Sequence, residues 1–319
     1  MREYLIGLID RMNDTSDQIM EPGYNSSKTI SYKALREAEA IKDIDFIPEL
    51  IEYLNTEENK KNRDRAYFIL GHLTKNTNDV KGLEALIKGI SKEKDKYIVG
   101  SILDRISAIE KPEGINIEPI IAATKSDKWL IRHSAIPALK KTSNPKAEDA
   151  LIEVLKSSTD PLDLSYTNAT LSEIGTTSSI PHLKGLLTHK KNDVASSSLH
   201  AIIKIGGKDY INLYRAYLSN GKLKSCAISG VVAYGDESDV PLIEKRIKEL
   251  VSKKRKIQMI LAENKTEVVL GLEFLKKIDS KQDKFQRFID WLLNKKVEKL
   301  WDSEIEWIEN EKLHQANTM

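Results

Sequence analysis

The sequence predicts an all-α fold built from stacked pairs of helices. Of its 319 residues, 40% are apolar and 31% are charged, with only 15 Gly and 9 Pro. This balance is too apolar for a disordered chain and too poor in turn-forming residues for an all-β protein. Apolar residues recur three and four positions apart, as one buried face of a helix requires. Breaks rich in glycine interrupt this pattern about every 30 residues, a period typical of helical repeats.

The breaks share a pattern that suits the junction between two helices. Gly175 to Leu183 and Gly235 to Ile243 both run from glycine through a polar stretch to a β-branched residue, proline and an apolar residue. Midway between them, residues 205–211 have the same glycine-then-polar break without the proline. Glycine closes a helix by adopting the left-handed conformation. Proline suits the first turn of the next helix, because its φ is fixed and its missing N–H would have no partner there.

Three segments between the breaks share a second pattern. Each has a basic residue three positions before an alanine and an apolar residue four positions after it, namely Arg63, Ala66 and Leu70; Arg132, Ala135 and Leu139; and Lys224, Ala227 and Val231. This x-Arg-x-x-Ala-x-x-x-Leu pattern resembles the second helix of the HEAT-like, armadillo-type helical repeats. The resemblance implies a right-handed α-solenoid of stacked antiparallel helix pairs. Leu164 and Ala195 depart from it, since the family favours a basic residue at these positions.

The resemblance also sets the expected organisation of the chain. Residues 45–250 form a HEAT-like array of about six helix pairs, between an N-terminal helical cap (1–44) and a C-terminal helical cap (251–319). First helices are expected to begin near Phe46, Val80, Glu118, Asp149, Ile180, Tyr210 and Val240. Second helices are expected to begin near Asn62, Tyr97, Trp129, Leu162, Val194 and Lys222.

In HEAT-like stacks the second helices usually line the concave face, so their outward residues are the candidate binding residues. If Ala135 faces the core, His133 and Lys140 point away from it and Trp129 lies at the flank. Trp129 either fills the groove between neighbouring repeats or anchors a partner, because Trp and Arg are over-represented in binding hot spots. The candidate partner-binding residues are Trp129, Arg132, His133, Lys140, Ser165 and Asn168.

Charge and motif content argue against several functions. The formal net charge of +2 gives no global field for nucleic acid or anionic lipid. The sequence contains no His-Glu-x-x-His, Gly-x-Ser-x-Gly, Gly-x-Gly-x-x-Gly or phosphate-binding loop, and no Cys-x-x-Cys. Catalytic residues, a metal site and a cofactor are therefore not expected. The single cysteine, Cys226, and the lack of a signal peptide or apolar span predict a cytoplasmic protein.

Three classes of function remain open, and a non-catalytic scaffold that binds another protein comes first. An inhibitor or immunity protein that blocks a toxin is one specific form of it. The alternative is a nucleic-acid-binding or DNA-repair protein similar to the HEAT-like alkylpurine glycosylases, which the near-zero net charge disfavours. A HEAT enzyme similar to chromophore lyases or hydroxylases comes third, and it would need His-Glu pairs that the sequence lacks.

Overall fold

A computed structural model describes residues 2–19, 21, 24–261, 264–279 and 283–316. Across these ranges the chain forms α-helices and short 3₁₀ turns without any β-strand. The extended pairing among them is limited to isolated bridges, Lys111 with Thr142 and Ile260 with Thr266. The all-α prediction is confirmed. The chain divides into two compact units, residues 1–182 and 183–319.

The N-terminal unit is a stack of helix pairs preceded by two further helices. Those two are α1 (Arg2–Asn13) and α2 (Ile30–Ala40). The pairs are α3 (Phe46–Thr56) with α4 (Lys60–Thr77), α5 (Val80–Lys92) with α6 (Lys96–Ser107), α7 (Glu118–Ala123) with α8 (Trp129–Ala138), and α9 (Pro145–Ser157) with α10 (Pro161–Ile174). Each first helix packs on its own second helix, and α4, α6, α8 and α10 pack on one another in succession.

The C-terminal unit continues with helices of the same kind. They are α11 (Ile180–Leu186, which begins just before the unit boundary), α12 (Asn192–Gly206), α13 (Ile211–Ser219), α14 (Lys224–Tyr234), α15 (Val240–Leu250), α16 (Glu267–Ile278), α17 (Asp283–Lys296) and α18 (Asp302–Ala316). Helix α16, which was predicted to be part of the C-terminal cap, packs on α14 and α15 as a second helix does.

Most helices begin where the junction pattern predicts. Second helices start within two residues of the expected positions, and several are capped by the residue before them, such as Asp95 and Asp160. The largest difference is α9, which begins at Pro145 instead of near Asp149. There the Asn144 side chain accepts the Lys146 N–H, and Pro145 occupies the first helical position. The cap–proline pair starts the helix one turn early.

The repeated basic–alanine pattern has a clear structural basis. Ala66, Ala135 and Ala227 are all completely buried, as the pattern requires. The basic residue of each segment pairs with a carboxylate 25 to 31 residues later, with donor–acceptor distances of 2.9 Å in all three pairs: Arg63 with Glu93, Arg132 with Asp163, and Lys224 with Glu249. These ion pairs therefore join consecutive repeats, beside the apolar contacts between their helices.

Candidate protein-binding surface

Three large apolar side chains stand exposed at the starts of consecutive second helices. Tyr97 on α6 is 62% exposed, Trp129 on α8 is 58% exposed and Leu162 on α10 is 52% exposed. Each lies in the first turn of its helix, Trp129 at the first position and Tyr97 and Leu162 at the second. Because α6, α8 and α10 pack side by side, these residues form a line with one member per repeat. We refer to Tyr97, Trp129 and Leu162 as the apolar row.

An aromatic cluster adjoins the apolar row at α8 and α10. The Trp129 ring centroid lies 5.2 Å from that of His133, one helical turn later, and the His133 centroid lies 5.4 Å from that of Tyr166. The sequence predicted that His133 points away from the core. Its side chain is only 11% exposed, because these two larger rings flank it. Tyr166 itself is 40% exposed and widens the apolar surface.

Beneath this cluster, His133 faces two carboxylates at the start of α10. Its Nε2 lies 3.4 Å from Asp160 Oδ2 and 3.2 Å from Asp163 Oδ1. Asp160 caps α10 by accepting the Leu162 N–H at its Oδ1, and this N–H helps to hold the pKa of Asp160 below its ordinary value. Asp163, with a side chain only 2% exposed, accepts hydrogen bonds at Oδ2 from Arg132 Nε and Ser158 Oγ.

Both carboxylates border a surface cavity. It has a volume of about 540 Å³, and its lining includes Arg132, Glu153, Ser158, Asp160 and Asp163. The side chain of Asp160 is 31% exposed, whereas that of Asp163 is almost wholly covered. A small polar solute can therefore reach the outer carboxylate from the solvent.

The other residues predicted to bind a partner lie in different environments. Lys140 is half-buried and its Nζ pairs with Glu173 Oε1 at 2.6 Å. Ser165 is half-buried on α10. Asn168, on the same helix, is completely buried, because this face of α10 also carries the buried Leu164, Thr167 and Leu171. A partner at the surface cannot touch it, so Asn168 does not belong to the accessible surface.

Several residues of this surface were not singled out in the sequence, namely Tyr97, Leu162, Tyr166, Asp160 and Asp163. The signal for the apolar row was present, because large apolar residues recur at the expected starts of the second helices. The two aspartates gave no such signal. They meet His133 only because α10 packs on α8.

The comparisons with known proteins concern the fold. The family model described as HEAT repeats matches residues 117–203, so the chain carries repeats of the kind that its sequence pattern resembles. No curated protein matches the sequence. Among solved structures, the chain is similar to "The structure of the complex of CpcE and CpcF of phycocyanin lyase from Nostoc sp. PCC7120", with 17% identity, a TM-score of 0.45, and coverage of 75% of this chain and 97% of that one. No helix in the described ranges has the length and apolarity needed to cross a membrane.

Proposed function

We propose that this protein is a non-catalytic scaffold whose N-terminal unit binds an extended segment of another protein along the apolar row. The observation that carries the proposal is the recurrence of a large, exposed apolar side chain in the first turn of three consecutive second helices. Single exposed apolar residues are ordinary on a protein surface, whereas a contiguous set of them marks an interaction site. An inhibitor or immunity protein would act in this way, by covering a surface of its target without chemistry.

The spacing of the row favours one backbone conformation in the partner. Packed helices have axes about 8 to 10 Å apart, so we expect neighbouring members of the row to be separated by a similar distance. A polyproline II segment rises about 3.1 Å per residue with three residues per turn, and it therefore presents every third side chain on one face at intervals of about 9 Å. A β-strand alternates its faces every two residues, at about 7 Å. The proposed ligand is a segment of about seven residues in polyproline II conformation, with apolar side chains at every third position.

The charges beside the row favour acidic residues between those positions. Lys60, Lys96 and Lys128 are exposed at or just before the starts of α4, α6 and α8. Lys60 already pairs with Asp95 Oδ2 at 2.5 Å. Lys96 and Lys128 are therefore the lysines that a partner would meet. The Lys60 and Lys96 ammonium groups lie 5.8 Å and 5.1 Å from the centroid of the Tyr97 ring. Apolar anchors with lysines at their edge suit a partner whose anchors are separated by aspartate or glutamate.

The test is selection from a display library of random heptapeptides against the full chain. We expect the enriched peptides to carry apolar residues at positions 1, 4 and 7 and acidic residues between them. In titrations of the best peptide, Trp129→Ala should weaken binding by about 2 kcal/mol, or about 30-fold, as expected for a hot-spot aromatic residue.

The matched control is Val80→Ala. Val80 is also exposed, at 43%, and it begins a first helix of the same unit, α5. This variant should bind the peptide as the unchanged protein does, and circular dichroism should show that both variants keep their helical content. Enriched peptides that bind the Trp129→Ala protein with full affinity would place the binding surface elsewhere and overturn the proposal.

A further inference from the structure

His133, Asp160 and Asp163 bring three possible metal-ligand atoms together from two neighbouring repeats. The imidazole nitrogen and one carboxylate oxygen from each aspartate lie within 4.8 Å of one another. The separations from Nε2 are 3.4 Å to Asp160 and 3.2 Å to Asp163. Ligands that bind one ion at about 2.0 to 2.2 Å are about 3 to 3.5 Å apart at tetrahedral or octahedral angles. The two histidine–aspartate distances already match this geometry.

A second, independent observation points to a ligand at this place. The Asp163 side chain is only 2% exposed. Its Oδ1 atom is buried and accepts no hydrogen bond. His133 Nε2 lies 3.2 Å from this oxygen, but its hydrogen bond is with Asp160 Oδ2 at 3.4 Å. A buried carboxylate oxygen without a partner is costly. A cation placed between Nε2 and Oδ1 would satisfy this oxygen.

The atoms that would bind the cation are held in place by other groups. Arg132 and Ser158 occupy the second oxygen of Asp163, and the Leu162 N–H occupies the second oxygen of Asp160. The His133 ring is fixed between two aromatic rings. Carboxylate ligands in metal sites are commonly hydrogen-bonded in this way by outer-shell groups, which orient them before the metal arrives.

We infer that His133 Nε2, Asp160 Oδ2 and Asp163 Oδ1 bind a first-row divalent cation such as Zn²⁺ or Co²⁺. With a neutral imidazole, the two carboxylates and the Arg132 guanidinium carry a net charge of −1, which a dication more than offsets. One nitrogen and two oxygen ligands suit these borderline ions better than Ca²⁺ or Mg²⁺, which prefer oxygen alone. Three protein ligands leave coordination positions for water or for a carboxylate of a bound partner.

The bound cation would tie α8 to the start of α10. It would therefore fix the separation of Trp129 and Leu162, two members of the apolar row. The competing occupant is a proton, because a protonated His133 would also bridge the two carboxylates. Cation binding and the imidazolium bridge exclude each other, so a titration with metal ions distinguishes them.

The experiment titrates chelator-treated full-length protein with Co²⁺, followed by visible absorption, and with Zn²⁺, followed by calorimetry. We expect one equivalent of either ion to bind. His133→Gln and Asp160→Asn should each lower the affinity at least about 100-fold. Removing a group that only hydrogen-bonds a metal ligand lowers metal affinity by up to about 100-fold, and loss of a ligand itself should cost at least as much. Asparagine also caps helices well, so Asp160→Asn removes a ligand while keeping the hydrogen bond to Leu162.

The control variant is His72→Gln. This half-buried histidine contacts Arg105 NH1 at 3.2 Å and belongs to no group of three possible ligands in the described part of the chain. It should bind the ion as tightly as the unchanged protein. The inference is overturned if neither ion binds saturably. It is equally overturned if binding survives both His133→Gln and Asp160→Asn, which would indicate adventitious binding elsewhere. The titration needs no partner, so its result is independent of the proposed function.

Discussion

At the scale of single residues, Lys111 is the clearest case of a charge placed where water does not reach. It is 4% exposed, and its Nζ donates to the carbonyl oxygens of Ile106 and Ile109 at 3.0 Å and of Lys140 at 2.7 Å. These carbonyls follow the ends of α6 and α8, or lie in their last turn, so the lysine links two repeats. Burial lowers the pKa of Lys111 to about 7, although the nearby Glu110 acts in the opposite direction.

This lysine should make the stability of the protein depend on pH. In the unfolded chain its pKa returns to the ordinary value of 10.5, so the unfolded state binds more protons at any pH between the two values. Stability therefore rises as the pH increases from about 7 towards 10, by at most about 1.4 kcal/mol per pH unit from this group. Denaturant unfolding at pH 7, 8 and 9 measures the slope.

Lys111→Met removes the titrating group and keeps most of the side-chain volume. Its stability should rise less over the same pH interval than that of the unchanged protein. Equal slopes in the two proteins would show that Lys111 keeps an ordinary pKa in the folded state.

At the scale of helices, the sequence predicted the boundaries well, because the signals for them are local. Caps and prolines act within one turn of the helix that they begin, as at Asp95 and Asp160. The largest departure, the start of α9 at Pro145 in place of Asp149, also came from such a signal. Periodicity located the buried alanines correctly for the same reason.

The candidate site was harder to predict, because its parts come from different helices. The contacts of His133 with Asp160 and Asp163 span 27 and 30 residues and depend on how α10 packs on α8. The burial of Asn168 has a similar origin, since α10 buries Asn168 together with Thr167 and Leu171 on its broad inner face. The apolar periodicity of one helix predicts the face that packs on the other helix of its pair. It does not predict the face that packs on the next repeat.

The ion pairs between repeats give a prediction at this scale, because the pairs differ in burial. The Glu93 side chain is 4% exposed, whereas that of Glu249 is 34% exposed. Arg63→Met leaves a buried carboxylate unpaired, and we expect a loss of about 2 to 3 kcal/mol, near the lower limit for a broken buried pair. Lys224→Met leaves a carboxylate that water can reach, and the loss should stay below about 1 kcal/mol.

Urea unfolding of the two variants, each against the unchanged protein, measures the contrast. Both substitutions remove the basic residue from the same place in the repeat pattern, and Arg246 still contacts Glu249 at 3.5 Å when Lys224 is gone, which further limits the second loss. Equal losses of stability would mean that the burial of the carboxylate does not determine the strength of these pairs.

At the scale of the whole molecule, charge and architecture favour the same kind of partner. Fifty basic residues balance forty-eight acidic ones, so the chain lacks the excess of positive charge that nucleic-acid binding normally requires. Many of these charges are occupied within the protein, as in the pairs of Arg63, Arg132 and Arg215 with carboxylates. The apolar row presents exposed apolar area with Lys96 and Lys128 at its edge, which suits binding through contact area with a small electrostatic contribution.

The dependence of binding on salt tests this distinction directly. Each DNA phosphate that a protein neutralises releases counterions, so a ligand held by several phosphates loses about 10³- to 10⁵-fold in affinity between 50 and 200 mM salt. A peptide bound by the apolar row should lose only a few-fold, because exposed lysine–carboxylate contacts are weak and already partly screened. We therefore expect the affinity of the selected heptapeptide to differ only a few-fold between the two salt concentrations, in titrations followed by tryptophan fluorescence. The Trp129→Ala protein, followed by calorimetry, should show the same shallow dependence at its lower affinity, because the substitution removes contact area and no charge. A steep salt dependence of peptide binding, or tight binding of a DNA duplex at 200 mM salt, would show that charge and not apolar contact governs recognition by this surface.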